Sequence, residues 1–196
     1  IRNIDDVAYT LLISNSGVGP TMAEDSVALF YARTYANYTA STPALSKVGL
    51  DAIKQLMRKI RGLKLEILNL QGKKLLVPVA LEQTAWELLK SQLLVVTALG
   101  STSAAAREPG LNPHYGTLEL VVDPRLDAGT NGTTAYYLVA DPEEAASLVL
   151  VSLNGNENPT VERWDPEDIL GFGWRCYHDV GVNAVDWRGI CRIKGA

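Results

Sequence analysis

The side chains that could do metal or acid–base chemistry are few in this sequence of 196 residues. It holds two histidines, His114 and His178, and two cysteines, Cys176 and Cys191. A zinc site needs about four ligands, usually in paired spacings such as Cys-x-x-Cys or His-x-x-x-His, and neither spacing occurs. The glycine pairs at 17–19 and 171–173 also lack the third glycine of a dinucleotide-binding loop. We therefore expect no metal site and no bound cofactor.

Catalytic groups are equally sparse. Ser101, His178 and Asp179 could meet in space, because catalytic triads ignore sequence order. The Gly-x-Ser-x-Gly elbow that would mark such a serine is nevertheless missing. The acidic residues within 165–168 could act as acid and base, but a helix N-terminus favours acids for electrostatic reasons too. We interpret both sets as surface residues, and the sequence predicts that the protein is not an enzyme.

Composition narrows the class of protein further. Apolar residues make up 47% of the chain, which is enough to support a core. Eighteen basic against 22 acidic residues leave a net charge of −4, which argues against a dedicated nucleic-acid binder. No apolar run approaches the ~18 residues of a membrane helix, and no signal peptide opens the chain, so we expect no membrane partner. The first residue is isoleucine, from which we expect that a segment precedes it.

Apolar spacing predicts three helices. The first covers residues 4–12 and stops at Asn15-Ser16-Gly17. The second and longest covers about 45–61, with either Thr42-Pro43 or Ser46 at its start and Gly62 at its end. Its single apolar stripe predicts that it lies across a sheet: Leu45, Val48, Gly49, Ala52, Ile53, Leu56, Met57 and Ile60. The third follows Pro78 with a stripe from Leu81 to Leu89.

Alternating apolar residues and turn signals predict the strands. Four strands are expected at 74–77, 117–122, 135–139 and 148–153, with a short hairpin within 26–38. The tail is predicted to be a long hairpin of residues 172–193 that turns near Gly181, which would keep the two cysteines apart as free thiols. Loops are expected at 100–113 and 127–134. Together these elements indicate an α+β fold.

Three stretches carry a resemblance to a known family. The tail stretch 174–189, WRCYHDVGVNAVDWRG, is the most specific, and 75–85, LLVPVALEQTA, and 25–37, DSVALFYARTYAN, support it. The chain resembles the major head subunits of Mu-like prophages and tailed bacteriophages, which have the Hong Kong 97-type capsid fold. The N-terminal arm and the extended loop of that family precede this region and are not in this sequence. Ser26 and Tyr35 stand where family members often have glycine and histidine.

The resemblance implies a layout in two parts. Residues 1–69 and 165–196 would form a peripheral domain, in which the 45–61 helix is a spine packed on the tail hairpin. Residues 70–164 would form a compact axial domain whose loops gather around five-fold and six-fold axes. Candidate contacts between subunits follow from the loops and from the tail: Arg107, His114, Asn131, Trp187 and Arg188.

The implied function is structural, since such subunits assemble into hexamers and pentamers and then into an icosahedral head that encloses DNA without sequence specificity. The partners would be copies of itself, with portal, scaffold, maturation protease and decoration proteins as further candidates. The place would be the virion capsid, assembled in the cytoplasm of a host bacterium. If Arg188 lies at an interface, Arg188→Ala is expected to impair assembly more than folding.

Three alternatives stay open from the sequence. One is a monomeric head-completion or tail-associated binding module, which would keep a low fixed stoichiometry. A second is a small cytosolic hydrolase with a convergent site. The third is a cellular protein compartment with the same fold as a phage head.

Overall fold

The computed structural model describes residues 2–33, 37–39, 43–97, 107–156, 158–165, 167 and 170–195. The helices are α1 (Arg2–Gly17), α2 (Lys47–Arg58) and α3 (Glu82–Lys90). The strands are β1 (Tyr38–Thr39), β2 (Gly72–Val77), β3 (Leu93–Thr97), β4 (Arg107–Leu111), β5 (Glu119–Val122), β6 (Tyr136–Ala140), β7 (Leu148–Ser152), β8 (Thr160–Trp164), β9 (Gly173–Tyr177), β10 (Val180–Ala184) and β11 (Ile190–Ile193). Short 3₁₀ turns occupy Val79–Leu81, Pro124–Ala128 and Leu153–Gly155.

A five-stranded sheet organises the core, with the strand order β1-β11-β6-β2-β5. β6 runs antiparallel to both of its neighbours, whereas β1 pairs with β11, and β5 with β2, in parallel. Side chains alternate between the two faces of a strand. One face carries Leu75, Leu138 and Cys191, all fully buried, and the other carries residues such as Leu76 and Val139. The sheet joins strands from both of the predicted segments, 70–164 and the peripheral remainder.

Helix α2 lies across β11 and β6, as its apolar stripe predicted. Its start is also as predicted, because the Ser46 hydroxyl accepts a hydrogen bond from the Gly49 N–H at 3.2 Å. The buried face comprises Gly49, Leu50, Ile53 and Met57. Val48, which the sequence places in the stripe, is 72% exposed. The helix also ends at Arg58 rather than continuing to Gly62, because Lys59 caps it.

Helix α1 and the turn that ends it cover part of the second face of the sheet. Regular helix stops where Asn15, Ser16 and Gly17 take left-handed φ values of 50°, 59° and 82°. Sequence reasoning predicted this stop from the same three residues. Leu12 of α1 is buried to 2% exposure, and the turn brings Gly17 against the guanidinium of Arg192 in β11.

The predicted tail hairpin is wrong in its pairing rather than in its strand character. The tail is not one hairpin turning at Gly181: β9 pairs with β8, β10 pairs with β7, and β11 joins the sheet. Gly181 lies inside β10, opposite Val151. Alternation identifies a strand but contains no information on its partner.

Two local predictions are also wrong where the structure describes them. The 26–38 stretch forms no hairpin of its own; Thr21 and Ala28 make a single bridge, and β1 pairs with β11 instead, while 34–36 lie outside the described residues. Within the expected 100–113 loop, residues Arg107–Leu111 are strand β4, which pairs with β3. Residues 98–106 lie outside the described part.

Candidate interaction surface

Trp187 and Arg188 come together with Arg33 in one cluster on the loop before β11. The guanidinium carbons of Arg33 and Arg188 each lie 4.7 Å from the centroid of a Trp187 ring. At that distance a cation is attracted by the ring quadrupole. Trp187 is only 7% exposed. The amide nitrogen of Asn37, itself fully buried, contacts the carbonyl oxygens of Leu29, Trp187 and Ile190 at 2.9–3.0 Å.

Arg188 finds its partners inside the chain. Its guanidinium donates to Glu24 at 3.0 Å, to Asp186 at 2.9 Å and to the Arg61 carbonyl at 3.4 Å, with 12% of the side chain exposed. Burial alone would lower the pKa of Arg188, but the hydrogen bonds and charges of Glu24 and Asp186 raise it above its ordinary value. The contacts of Trp187 and Arg188 in this structure are therefore intramolecular, and their role between subunits stays a prediction.

His114 is buried, with 3% exposure, in the turn that precedes β5. Lys54 of α2 places Nζ 3.1 Å from His114 Nδ1 and 2.9 Å from the Thr117 hydroxyl. An ammonium only donates, so Nδ1 accepts and the ring proton is on Nε2. Nε2 lies 3.3 Å from Asp51 Oδ1 without hydrogen-bond geometry. Burial and the Lys54 charge lower the pKa of His114 below its ordinary 6.5, so the ring is neutral at pH 7.

The remaining two predicted contacts lie elsewhere. Asn131 is exposed in the turn before β6, with a φ of 58°, and its carbonyl accepts from the Ala135 N–H at 2.8 Å. Arg107 opens β4 opposite Thr97, and its side chain is outside the described part. His114, Asn131 and the Trp187 cluster thus stand on three different elements and do not form one site.

The acid–base candidates do not assemble into a site in the described residues. Asp165 pairs with Arg163 at 3.1 Å, and His178 and Asp179 lie beside Leu153 and Tyr177. Ser101 and Asp168 fall outside the described part. Within that part, no group of three or more His, Cys, Asp or Glu side chains is placed to hold a metal ion. None of the described helices is long and apolar enough to cross a bilayer.

A projecting ribbon is the feature that sequence reasoning missed. β7 and β10 pair at its base, β8 and β9 pair at its far end, and a hydrogen bond of 3.1 Å from the Leu153 N–H to the Asp179 carbonyl connects the two pairs. We call residues 148–184 the arm. The base contacts α1 through β10. The alternation at 172–176 was visible in the sequence, but it was assigned to a different partner.

The far end of the arm has two chemically different faces. Cross-strand pairs Val161–Cys176 and Arg163–Trp174 stand on one side, with Phe172 beside them. We call these five residues the aromatic face. On the other side Glu162 accepts hydrogen bonds from Arg175 at 2.6 Å and from Tyr177 at 3.0 Å. The hydrogen bond from Arg175 lowers the pKa of Glu162, so this second face is an ion-paired one.

An apolar groove of about 290 Å³ lies between α1, one face of the five-stranded sheet and the segment 142–148 that leads into the base of the arm. Its lining is almost wholly aliphatic or aromatic: Ala8, Tyr9, Leu12, Leu76, Val139, Ala140, Pro142, Ala145, Ala146, Ser147, Leu148 and Ile190. The one hydroxyl apart from that of Tyr9, Ser147 Oγ, is buried without a hydrogen-bond partner.

Comparison with known proteins adds one finding to this geometry. A protein family described as phage capsid protein matches residues 1–193 of the chain. Comparison with curated proteins gave no match. Comparison with solved structures gave none either.

Proposed function

The chain belongs to the phage capsid protein family, and from this membership we propose that it is a head subunit that assembles with copies of itself into hexamers and pentamers. The family match over residues 1–193 is the observation that carries the proposal. A capsid protein is a structural component of the virion. The closed icosahedral head, the enclosed DNA and assembly in the host bacterial cytoplasm are the further content of the proposal.

We further propose that the fold is of the Hong Kong 97 type and that the subunit is the major one, as in Mu-like prophages. The resemblance of the 174–189 stretch supports this. So does the mixed α+β architecture, in which the apolar-striped helix α2 lies on a sheet. In that layout residues 1–69 and 165–196 face the periphery and 70–164 the axes. The five-stranded sheet would then be the joint between the two parts.

Assembly would proceed through repeated contacts between unlike surfaces. A head-to-tail contact closes into a ring when its rotation permits, and rings close into a shell. Each contact can be weak, because later contacts in a ring are effectively intramolecular. The net charge of −4 fits a container for DNA, since tight phosphate binding would require a basic surface. Portal, scaffold, maturation protease and decoration proteins are the proposed further partners.

Electron microscopy of the expressed protein tests the proposal. The longest version of the gene is expressed, with any upstream segment that it encodes, and the product is purified and imaged. We expect capsomer rings or hollow closed shells. A monomer at high concentration, confirmed by sedimentation, would contradict self-assembly and favour a head-completion or tail-associated module. A monomer that hydrolyses small ester or peptide substrates would instead favour the enzyme alternative.

A further inference from the structure

We propose that the aromatic face of the arm docks into the apolar groove of a second copy of this chain. The proposal rests on the proposed function, because it names the surface through which self-assembly would occur. It assigns the donor surface to Val161, Arg163, Phe172, Trp174 and Cys176. It assigns the acceptor surface to the apolar groove between α1, the five-stranded sheet and the segment 142–148.

The far end of the arm has too little support from its own chain. A two-stranded ribbon in water is marginally stable, and three strands or a packing partner are normally needed. In the described residues β8 and β9 pair only with each other. Val161 and Phe172 are each 59% exposed, and Trp174 is 67% exposed. A ribbon with such a face lacks the packing partner that would stabilise it.

The composition of the aromatic face is that of a binding anchor. Tryptophan and arginine are enriched among the residues that dominate interface energies. Phe172 and Trp174 pack edge to face with centroids 6.3 Å apart, and the Arg163 guanidinium lies 4.7 Å from the Phe172 centroid. These contacts hold the rings in place before binding, which reduces the entropy lost when a partner arrives.

Charge at the groove complements the aromatic face. Glu143 and Glu144 are exposed and follow Pro142, which lines the groove, and Asp5 lies one helical turn before Tyr9. None of these three carboxylates forms an ion pair within the described residues. The aromatic face brings one cation, Arg163, whose partner Asp165 is 69% exposed and therefore exchangeable. The rim is not uniformly acidic, because the guanidinium of Arg125 lies 5.1 Å from the Tyr9 ring centroid and pairs with Asp6. The three carboxylates without an ion pair nevertheless offer Arg163 a partner in place of Asp165, which fits an aromatic donor with one cation to an apolar acceptor.

The two surfaces lie at opposite ends of the arm. Leu148, the first residue of β7, lines the groove, whereas Arg163 and Trp174 pair near the tip. β8 alone, five residues of strand, extends roughly 16 Å beyond the break at 153–159. A second copy can therefore receive the tip while its own tip reaches a third copy. Such a head-to-tail contact generates a ring when its rotation closes.

The size of the contact predicts that one copy alone binds weakly. A Phe and a Trp together bury roughly 300–500 Å². A stable interface buries about 800 Å² on each partner. The aromatic face would thus supply around half of one interface, so we expect single contacts to be transient and rings to be stable.

Thiol labelling of the unmodified chain is the first test. Cys176 is exposed on the aromatic face, whereas Cys191 is fully buried in the sheet. Assembled particles, prepared as for electron microscopy, and dissociated subunits are each treated with a thiol reagent. We expect one reactive thiol per subunit before assembly and at least a tenfold slower reaction after it. Assembled particles in which Cys176 reacts at the dissociated rate would overturn the docking proposal and leave the proposed function intact.

A pair of matched tryptophan variants is the second test. Trp174→Ser removes the anchor, and Trp164→Ser alters the opposite face of the same ribbon, where Trp164 is 55% exposed. We expect Trp174→Ser to raise the concentration needed for assembly at least roughly 30-fold, the size of a hot-spot loss. Trp164→Ser should change it less than threefold. Circular dichroism of both variants confirms the fold, and equal effects would overturn the assignment of the aromatic face.

Cross-linking identifies the acceptor. Ala146→Cys places a thiol on the exposed lip of the groove, and Ala23→Cys places one on an exposed loop that does not line it. With a short bismaleimide, Ala146→Cys should give dimers and ladders through Cys176, and Ala23→Cys should not. Ladders from both variants, or from neither, would overturn the groove as the acceptor. A parent chain that never assembles would overturn this proposal together with the proposed function.

Discussion

Arg188 and Glu24 form an ion pair with 3.0 Å between Nη2 and Oε1, although 164 positions separate them in the sequence. The pair fastens the loop before β11 to the loop after α1. Arg33, from the N-terminal part of the chain, and Arg188 both stack on the side chain of Trp187. The cluster therefore connects segments near the two ends of the chain, so we expect mutations in it to lower the stability of the fold.

We expect Arg188→Ala to lower the free energy of unfolding by about 1–2 kcal/mol, since hydrogen bonds to charged groups are lost from a mostly buried guanidinium whose partners are partly solvated. Arg188→Lys, which keeps the charge but not the planar fork, should lose less. Urea denaturation measures both. An unchanged urea midpoint together with failed assembly would instead support the interface role that the sequence suggested.

Two substitutions on one helix test how α2 packs. Ile53 is fully buried and Val48 is 72% exposed, although both belong to the apolar stripe in the sequence. Ile53→Asp should unfold the domain, because an unpaired buried charge costs several kcal/mol of a total stability of about 5–15 kcal/mol. Val48→Asp should change the free energy of unfolding by less than about 0.5 kcal/mol. Similar circular-dichroism melting curves for the two variants would show that the helix is rotated.

Gly49 lies in helix α2, and we expect that its replacement by alanine does not increase the stability of the protein. Alanine normally stabilises an exposed helix by about 1 kcal/mol over glycine. A Cβ at Gly49, however, would lie 2.4 Å from the Ala44 carbonyl oxygen and 2.6 Å from the Tyr136 hydroxyl. We expect Gly49→Ala to destabilise the protein by about 1–3 kcal/mol. Gly181→Ala, where a Cβ meets nothing within 4 Å, is the control and should be nearly neutral in thermal denaturation.

The amide of Asn37 is surrounded by three carbonyl oxygens. Asn37→Asp keeps the shape but directs a carboxylate at them, so we expect a loss of several kcal/mol at pH 7. Asn131→Asp makes the same chemical change in an exposed turn and should cost under about 0.5 kcal/mol. Unfolding free energies from urea titrations decide the matter, and equal losses would contradict the buried network around Asn37.

His114 should make stability depend on pH. Its folded pKa is lowered below the unfolded value near 6.5 by burial and by Lys54, with Lys47 adding to the effect and Asp51 opposing it. Between those two pKa values the unfolded state binds the extra proton, so stability is full above pH 6.5 and falls as the pH drops below it. The slope is at most about 1.4 kcal/mol per pH unit.

Urea midpoints at pH 7.5 and 5.5 measure this dependence while the carboxylates stay ionised. The variant His114→Gln, which cannot titrate, should show a clearly smaller change between the two pH values. A variant with the full change of the parent would assign the dependence to another group.

Local interactions made part of this fold predictable. The Ser46 cap, the stop at 15–17 and the strands around 74–77 and 136–140 follow from neighbours within a few positions. The prediction that Val48 is buried is wrong, because helical spacing places Val48 in the same apolar stripe as Gly49 but does not show which part of that stripe the sheet covers. Local reasoning also fails for the tail, because alternation cannot identify strand partners that are distant in sequence. The strands that pair with β9, β10 and β11 lie between 9 and 154 positions away.

The surroundings of the predicted subunit contacts could not be predicted either, because their neighbours are distant in the sequence. The sequence predicts His114 as a subunit contact because it lies next to the expected 100–113 loop, yet it contacts Lys54 and Asp51 of its own chain, about 60 positions earlier. Trp187 and Arg188 are predicted from their residue types, and their partners Arg33 and Glu24 lie more than 150 positions earlier. The aromatic face could have been found from the alternation at 161–163 and 172–176 had the two stretches been paired with each other.

The position of β11 in the sheet has a consequence for synthesis on the ribosome. β11 separates β1 from β6, and β1 has no other strand partner in the described residues. A nascent chain that has not yet reached residue 187 therefore lacks β11, one of the two strands that α2 covers, and the loop that contacts Glu24 and Arg33. Native folding is delayed until translation passes this point, and such late, sequence-distant pairing is slow. A polysome carrying many unfinished copies would thus hold no folded subunits able to associate with one another prematurely.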